Sequence, residues 1–275
     1  MGLLGATFGL GFIVGPLVGG LAAQIDLRNF FNFTYLHPFS FCAFASLVLS
    51  LLSAARNYFS LQETLPRGAS GEARGFLTQA RQVDPGVHRI VFINFIYLFI
   101  FAGYEFTVTF FYKLEFDLSP LQIGFIFLYI GILIAAGQGG LVRALSRRFG
   151  ERQLCLAGIA LVPLPLYFFS LSAPSVLLSL LLLAPITLGT ALFQPSITAL
   201  ASLVAPENQQ GLVMGYVRSS GSLARAVGPI LGSILYWAYG IVVTYSALAL
   251  FMVLAFFLTL RLKEARTIQT PARPG

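Results

Sequence analysis

Three ionisable side chains lie within long apolar stretches of this sequence, where a charge carries a high energetic cost. Glu105 is in one stretch, and Arg218 and Arg225 are in another, seven residues apart. Placing a charge in the hydrocarbon core of a membrane costs about 2.5 kcal/mol or more, so such residues are functional candidates by default. Residues seven apart lie on one face of a helix. The spacing therefore predicts that both arginines face the same partner.

Glu105 and Arg225 have the side chains needed to couple a proton to an anion. We interpret Glu105 as the proton-coupling carboxylate, and Arg225, together with Arg218, as the contact for an anionic substrate. Burial and a neighbouring guanidinium act in opposite directions on the ionisation of a carboxylate. The pair could therefore change its protonation as substrate binds and leaves. The alternative is a structural ion pair between Glu105 and Arg225 that locks two helices together, and the sequence leaves both roles open.

Uncharged polar residues in the same kind of stretch favour hydrogen bonds between helices, each worth roughly 0.6–2 kcal/mol. These residues are Asn94, Gln122, Gln138 and Gln194. Gln194 is also a candidate substrate contact, because Pro195 follows it and a helix break exposes backbone carbonyls to a cavity. Tyr104, beside Glu105, is a candidate for the wall of an apolar substrate pocket, with ordinary packing as the alternative.

The composition indicates an integral membrane protein. The chain is 57% hydrophobic and 10% charged, with a mean hydropathy of +0.84, whereas about a quarter of the residues in a soluble domain are charged. The sequence lacks a phosphate-binding G-x-x-x-x-G-K-[ST] loop and the G-x-S-x-G and H-E-x-x-H patterns of hydrolases. The two histidines, His37 and His88, lie far apart in sequence, and neither is part of a metal-ligand motif. We therefore expect no enzyme activity, no ATP drive, no cofactor and no metal site.

Eight segments are long and apolar enough for membrane helices, which need about 20 residues each. The sequence thus predicts an all-α, polytopic fold with about eight transmembrane helices. The segments are Gly2–Gln24, Pro38–Ala55, Ile90–Phe111, Leu121–Val142, Leu154–Leu171, Pro174–Val204, Leu212–Tyr239 and Ile241–Leu262.

The connections between these segments predict the orientation. Thirteen of the seventeen basic residues fall on one side, in the stretch Arg56–Arg89, the connection Arg143–Gln153 and the C-terminal tail. Cytoplasmic loops of membrane proteins carry an excess of lysine and arginine. This side, and with it the C-terminus, is therefore predicted to be cytoplasmic. The net charge of +7 is explained in this way and does not indicate a nucleic-acid partner.

A glycine–proline element occurs twice, 213 residues apart. The first copy has Gly11, Gly15, Pro16, Gly19 and Gly20; the second has Gly228, Pro229 and Gly232. Small residues four apart let two membrane helices approach closely. The copies fall in the first and seventh segments, and a spacing of six helices is that of a transporter built from two parallel repeats.

The repeat predicts how the chain is organised. Residues 1–60 are expected to be the last two helices of an N-terminal half, and residues 61–88 a cytoplasmic linker. Residues 89–262 are expected to form a complete six-helix C-terminal half, and residues 263–275 a cytoplasmic tail. On this interpretation the chain lacks the first four helices of the N-terminal half.

These features resemble the drug–proton antiporter branch of the major facilitator superfamily. Its G-x-x-x-G-P-x-x-G-G signature is matched by the first glycine–proline element, and Gln62-Glu63-Thr64-Leu65-Pro66 is similar to the end of the sixth helix in that family. The stretch from Gly140 to Arg152 resembles the loop between the second and third helices of each half. The resemblance implies a partial major-facilitator fold and exchange transport.

The leading hypothesis is a secondary active transporter that exchanges protons for amphipathic organic molecules, anionic or drug-like, across a lipid bilayer. The alternative is a non-transporting membrane scaffold or a truncated fragment of such a transporter, because substrate sites in this architecture lie between the two halves. An oligomer is an option if the chain is truly short.

Overall fold

The structure is a computed structural model. It describes residues 11, 14–16, 18–29, 37, 39–60, 84–172, 175–206 and 209–262, apart from the side chains of Arg143 and Arg147. The predicted tail (263–275), most of the predicted linker and the start of the first segment lie outside the described residues. Within them, residues 11, 14–16 and 18–22 are helical and are called the N-terminal segment below.

Helices make up the described part of the chain. They are α1 (Ser40–Ser60), α2 (Pro85–Phe116), α3 (Pro120–Ala136), α4 (Arg143–Phe149), α5 (Glu151–Ala160), α6 (Pro163–Phe169), α7 (Val176–Val204) and α8 (Gln210–Leu260). A π-helical turn, Gly137–Val142, joins α3 to α4. Gly240 has φ 79° and interrupts α8, so residues 210–239 (α8a) and 241–260 (α8b) are separate helices. Six spans long and apolar enough to cross a membrane occur among the described residues, with α8 counted once.

Helix α2 is longer than the predicted segment at both ends. It begins at Pro85, inside the predicted linker, because the Asp84 carboxylate accepts a hydrogen bond from the Gly86 N–H (2.6 Å) and proline suits the first helical position. It ends at Asp117, which has a left-handed backbone (φ 48°) and donates its N–H to the Tyr112 carbonyl. With 32 residues it is about 48 Å long, so its ends extend beyond a hydrocarbon core of about 30 Å.

Prolines act differently in two other segments. The fifth segment, predicted as one helix, is broken into α5 and α6, because Pro163 has no N–H to continue the helix and the Val162 N–H bonds to Ile159 O instead (3.2 Å). Helix α7 is continuous through Pro185 and Pro195, so the helix break expected at Pro195 is absent.

The predicted connection Arg143–Gln153 is almost entirely helical. Helix α4 covers residues up to Phe149, and α5 begins at Glu151. The only residue between them is Gly150. Its backbone φ of 81° is one that residues with a side chain rarely adopt. The polar composition of this stretch thus marks a sharp turn between two helices rather than an extended loop.

Helix α2 is the centre of the bundle. The Tyr97 ring stacks on Phe193 of α7 with ring centres 3.9 Å apart, and its hydroxyl donates to Thr190 Oγ1 (2.9 Å). The Tyr112 hydroxyl and Ser179 Oγ share a second hydrogen bond between the same two helices (2.9 Å). These buried bonds satisfy polar groups that would be costly in an apolar interior, and they fix α2 against α7.

Helices α2 and α8a approach to backbone contact at the second glycine–proline element. A Cβ atom on Gly228 would lie 2.5 Å from Phe99 O, and one on Gly232 would lie 3.0 Å from Gly103 Cα. Membrane helices associate through such close packing of small residues. Gly103 therefore provides the complementary surface on α2.

The first glycine–proline element packs against α3 through a different face from the one that the second element buries. A Cβ on Gly20 would lie 3.3 Å from Leu121 Cα, and one on Gly124 of α3 would lie 3.1 Å from Pro16 O. Gly15 and Gly19 correspond to Gly228 and Gly232 in the repeat, but a Cβ added to either would meet no atom of the described residues within 4 Å. The two copies thus bury different faces of the same pattern.

The C-terminal end of α8b is capped by arginines from two other helices. Arg152 of α5 donates from Nε to Leu262 O (2.6 Å) and from Nη2 to Leu260 O (2.8 Å), and Arg89 of α2 donates from Nη1 to Arg261 O (3.1 Å). The last carbonyls of a helix have no partners within it and attract cations. These two arginines therefore tie the ends of three helices together.

We predict that Gly228→Ala lowers the thermal stability of the detergent-solubilised chain. The added methyl group would meet the Phe99 carbonyl at 2.5 Å, and overpacking of this kind costs about 1–3 kcal/mol. The control is Gly215→Ala on the same helix, where a Cβ meets nothing within 4 Å. A Gly228→Ala variant as stable as the control would show that α2 and α8a are not in backbone contact.

We also predict that Arg152→Ala destabilises the chain more than Arg148→Ala does. Both changes remove one positive charge from the same connection, but only Arg152 has hydrogen bonds to the end of α8b among those found in the described residues. The expected difference is about 1.5–3 kcal/mol, the range for hydrogen bonds that involve a charged group. Equal melting temperatures for the two variants would contradict the capping role.

Candidate functional site

Glu105 and Arg225 lie on neighbouring helices close to the glycine contact. Glu105 follows Gly103 by two residues on α2, and Arg225 precedes Gly228 by three residues on α8a. Glu105 is partly accessible and Arg225 is exposed. The structure therefore brings together the two ionisable residues that the sequence singled out.

Arg218 lies on the same helix as Arg225, two turns nearer the N-terminal end of α8a. It is exposed, as expected for residues that share a face. Its neighbour Val217 accepts a hydrogen bond from Asn94 Nδ2 of α2 (3.2 Å). This confirms the predicted interhelical hydrogen bond of Asn94, and it fixes the level of Arg218 relative to α2. Arg218 is therefore not level with Glu105.

Tyr104 is buried in the aromatic core. Only 4% of its surface is exposed, and its ring centre lies 5.8 Å from that of Tyr245 and 5.9 Å from that of Phe169. Its hydroxyl has no hydrogen-bond partner among the described residues. The ring therefore packs between helices, which favours the packing alternative over a substrate contact.

The three glutamines take different positions. Gln122 forms a capping box with Ser119 at the start of α3, so its predicted interhelical bond is wrong. Gln138 is on the π turn and Gln194 is in α7. In the described part of the chain, Gln138 Oε1 and Gln194 Nε2 are enclosed and have no hydrogen-bond partner. Gln194 is therefore available for another contact even though α7 is unbroken.

A groove that the sequence did not indicate lies between the N-terminal ends of α2 and α8a. Its volume is about 510 Å³, and it contains none of the predicted site residues. Its lining is mostly apolar, with His88, Tyr216, Ser219 and Ser220 as the polar contributors. No spacing rule relates residues on helices so distant in sequence, which is why the groove could not be predicted.

Among the described residues, no group of three or more histidine, cysteine or acidic side chains could hold a metal ion.

The glycine–proline residues position this site and do not line it. Gly228 and Gly232 are buried in the contact with α2, and Pro229 is partly buried beside them. In the first copy, Gly20 is buried against α3, whereas Gly11 is exposed. The prediction that these residues are structural stays consistent with their contacts.

The family model of the Major Facilitator Superfamily matches residues 1–184 and 141–274 of this chain. Major facilitator superfamily domain-containing protein 10 of Mus musculus is 27% identical over 96% of the chain and 59% of its own length. Multidrug resistance protein 2 of Bacillus subtilis is 30% identical over 86% of the chain and 57% of its own length.

A solved structure is also similar. The human organic anion transporter MFSD10 (TETRAN) superposes with a TM-score of 0.73 at 26% sequence identity, over 94% of this chain and 62% of the solved chain. The present chain therefore spans about three fifths of the length of these relatives.

These matches agree with the helical fold, the membrane spans and the glycine–proline elements described above. The expectations of a partial major-facilitator fold and of a protein that is not an enzyme are confirmed by the same matches. The chain is a multi-pass integral membrane protein and belongs to the Major Facilitator Superfamily.

Proposed function

We propose that this chain carries out proton-coupled secondary transport of amphipathic organic molecules, with Glu105 as the proton-coupling residue. The observation that carries the proposal is the position of Glu105 and Arg225 on adjacent helices, each within one turn of the backbone contact between Gly103 and Gly228. Ionisable groups inside the membrane mark proton relays and substrate pathways. The names of the relatives, an organic anion transporter and a multidrug resistance protein, support the same class of substrate.

Antiport is the proposed mode for substrates that engage Glu105 itself. A cationic or hydrogen-bond-donating group of a drug-like substrate would bind the ionised carboxylate, so substrate and proton compete for one group. Competition of this kind requires that the two move in opposite directions, because the carboxylate crosses one way with the substrate and returns with the proton that replaced it. Tyr104 has no part in this proposal, because it is buried.

An anion held by Arg225 alone would have the opposite coupling. Protonation of Glu105 removes the negative charge that competes for the guanidinium, so anion and proton would bind together and move in the same direction. Arg218 would give the anion a first contact nearer the cytoplasm. The sign of coupling therefore depends on which member of the pair the substrate engages, and the experiment must include probes of both charges.

The central experiment measures uptake of ethidium and of 2-naphthoate into proteoliposomes under pH gradients of either sign. We expect ethidium to be taken up faster when the lumen is more acidic than the outside. Glu105→Gln should reduce this gradient-driven rate at least tenfold. The control is Glu115→Gln, an exposed carboxylate near the end of the same helix. Protein-free liposomes measure passive diffusion of each probe. Gradient-driven uptake that survives in Glu105→Gln would remove the proton-coupling role.

The structural ion pair makes a different prediction in the same variants. If Glu105 and Arg225 only hold helices together, Glu105→Gln should lower the melting temperature and leave the dependence of uptake on pH unchanged. The double variant Glu105→Gln/Arg225→Gln should then regain stability, since an uncompensated charge is costlier than a neutral pair.

A non-transporting scaffold is the second candidate function. The observation that favours it is the packing face of Gly15 and Gly19, where an added Cβ would meet no atom of the described residues. A stable, monodisperse chain with no uptake of either probe would support the scaffold over the transporter.

We further propose that the C-terminus and the α4–α5 turn are cytoplasmic, on the basis of the thirteen basic residues on that side. In a Cys42→Ala background, a membrane-impermeant thiol reagent should label Ala144→Cys only from the cytoplasmic side. Position 144 is exposed, and Cys155 is buried and should not react. Labelling from the outside would reverse the proposed topology.

A further inference from the structure

Two glutamine amides on different helices have polar atoms that are enclosed but without a partner in the described part of the chain. The atoms are Gln138 Oε1, an acceptor, and Gln194 Nε2, a donor. An enclosed polar group without a hydrogen bond is destabilising, and each such group in a native protein needs an explanation. Two of them with complementary hydrogen-bonding character point to a common ligand.

The helix geometry places both amides on the same side of the pair formed by α3 and α7. The two helices run in the same direction and approach closely at Gly137, directly after α3, where a Cβ would lie 2.6 Å from Ala191 Cβ. Gln138 follows Gly137 by one residue and Gln194 follows Ala191 by three. At about 100° per residue, the two side chains turn from the contact toward one side.

The backbone at Gln138 is also unusual. Residues Gly137–Val142 form a π turn between α3 and α4. Such turns occur mostly as short insertions in α-helices and frequently at functional sites. Gln138 is the second residue of this turn.

The level of the amides in the membrane follows from two interhelical bonds. Thr190 is level with Tyr97 because the two side chains are hydrogen-bonded, and Gln194 is one turn, roughly 6 Å, nearer the cytoplasm. The bond from Asn94 to Val217 places Arg218 about 3–5 Å nearer the cytoplasm than Tyr97. Gln194 is thus near the level of Arg218 and roughly 18 Å from that of Glu105.

We propose that Gln138 and Gln194 form a neutral hydrogen-bonding subsite for a hydroxyl group on the transported molecule, on the cytoplasmic side of the Glu105–Arg225 site. A hydroxyl donates to Gln138 Oε1 and accepts from Gln194 Nε2, so it satisfies both amides at once. Arg218, at the same level, would hold a negatively charged part of the same molecule. This subsite rests on the proposed transport function for its biological role, but its ligand preference does not require transport.

The test compares 6-hydroxy-2-naphthoate with 2-naphthoate, two fluorescent anions that differ by one hydroxyl. Equilibrium binding to the detergent-solubilised full chain is measured without any gradient. We expect the hydroxylated probe to bind about five- to tenfold more tightly, and Gln138→Met and Gln194→Met each to abolish this preference. Methionine keeps the length of the side chain, so folding is checked by melting temperature and size-exclusion chromatography. The control is Ser196→Ala, which removes another enclosed hydroxyl of α7 and should keep the preference.

Each outcome decides between the subsite and its rivals. Equal affinity of the parent chain for the two probes, no binding of either, or a preference that persists in both methionine variants would overturn the subsite. A mutual hydrogen bond between the two amides is the rival explanation, and it predicts equal affinities together with a non-additive loss of stability in the double variant. If the preference is present and lost as expected but neither probe is transported, the subsite stands and the proposed transport function fails.

Discussion

Backbone contact between Gly103 on α2 and Gly228 and Gly232 on α8a determines the distance between the two helices that hold the charged residues. Because no side chain separates them, a Cβ at Gly228 would lie only 2.5 Å from Phe99 O. In lipid there is no hydrophobic force to bring helices together, so packing of this kind is the main source of association. Glu105 and Arg225 lie within one turn of the contact, and their relative position is set by it.

The two copies of the glycine–proline pattern show that one sequence can pack in two ways. The second copy buries Gly228 and Gly232 against α2, whereas the first buries Gly20 against α3 and leaves open space among the described residues where a Cβ on Gly15 or Gly19 would lie. A row of small residues has no side chains that select a particular partner. The surrounding helices therefore decide which face of each copy is used.

The candidate site extends across the thickness of the membrane rather than lying at a single depth. Arg218 and the two glutamine amides are near one level, and Glu105 and Arg225 are closer to the opposite side. The buried bonds of Tyr97 with Thr190 and of Asn94 with Val217 hold the three helices in this register. Since each of these bonds would be costly to leave unmade in an apolar interior, the register of the polar groups is well determined by the core.

The sequence by itself determined the membrane class, the all-helical fold and the residues that carry charge into the membrane, because apolar runs and intramembrane charges are local properties of the chain. It also separated α8a from α8b at Gly240, where a positive φ requires glycine. Only the tertiary structure decided that Tyr104 is core, that Gln122 is a cap and that Gln138 and Gln194 share a side of two helices. These outcomes depend on which faces of different helices meet, and helical periodicity within one segment carries no information about that. The break at Pro163 and the continuity at Pro195 make the same point, since the same residue type ended one helix and was accommodated in another.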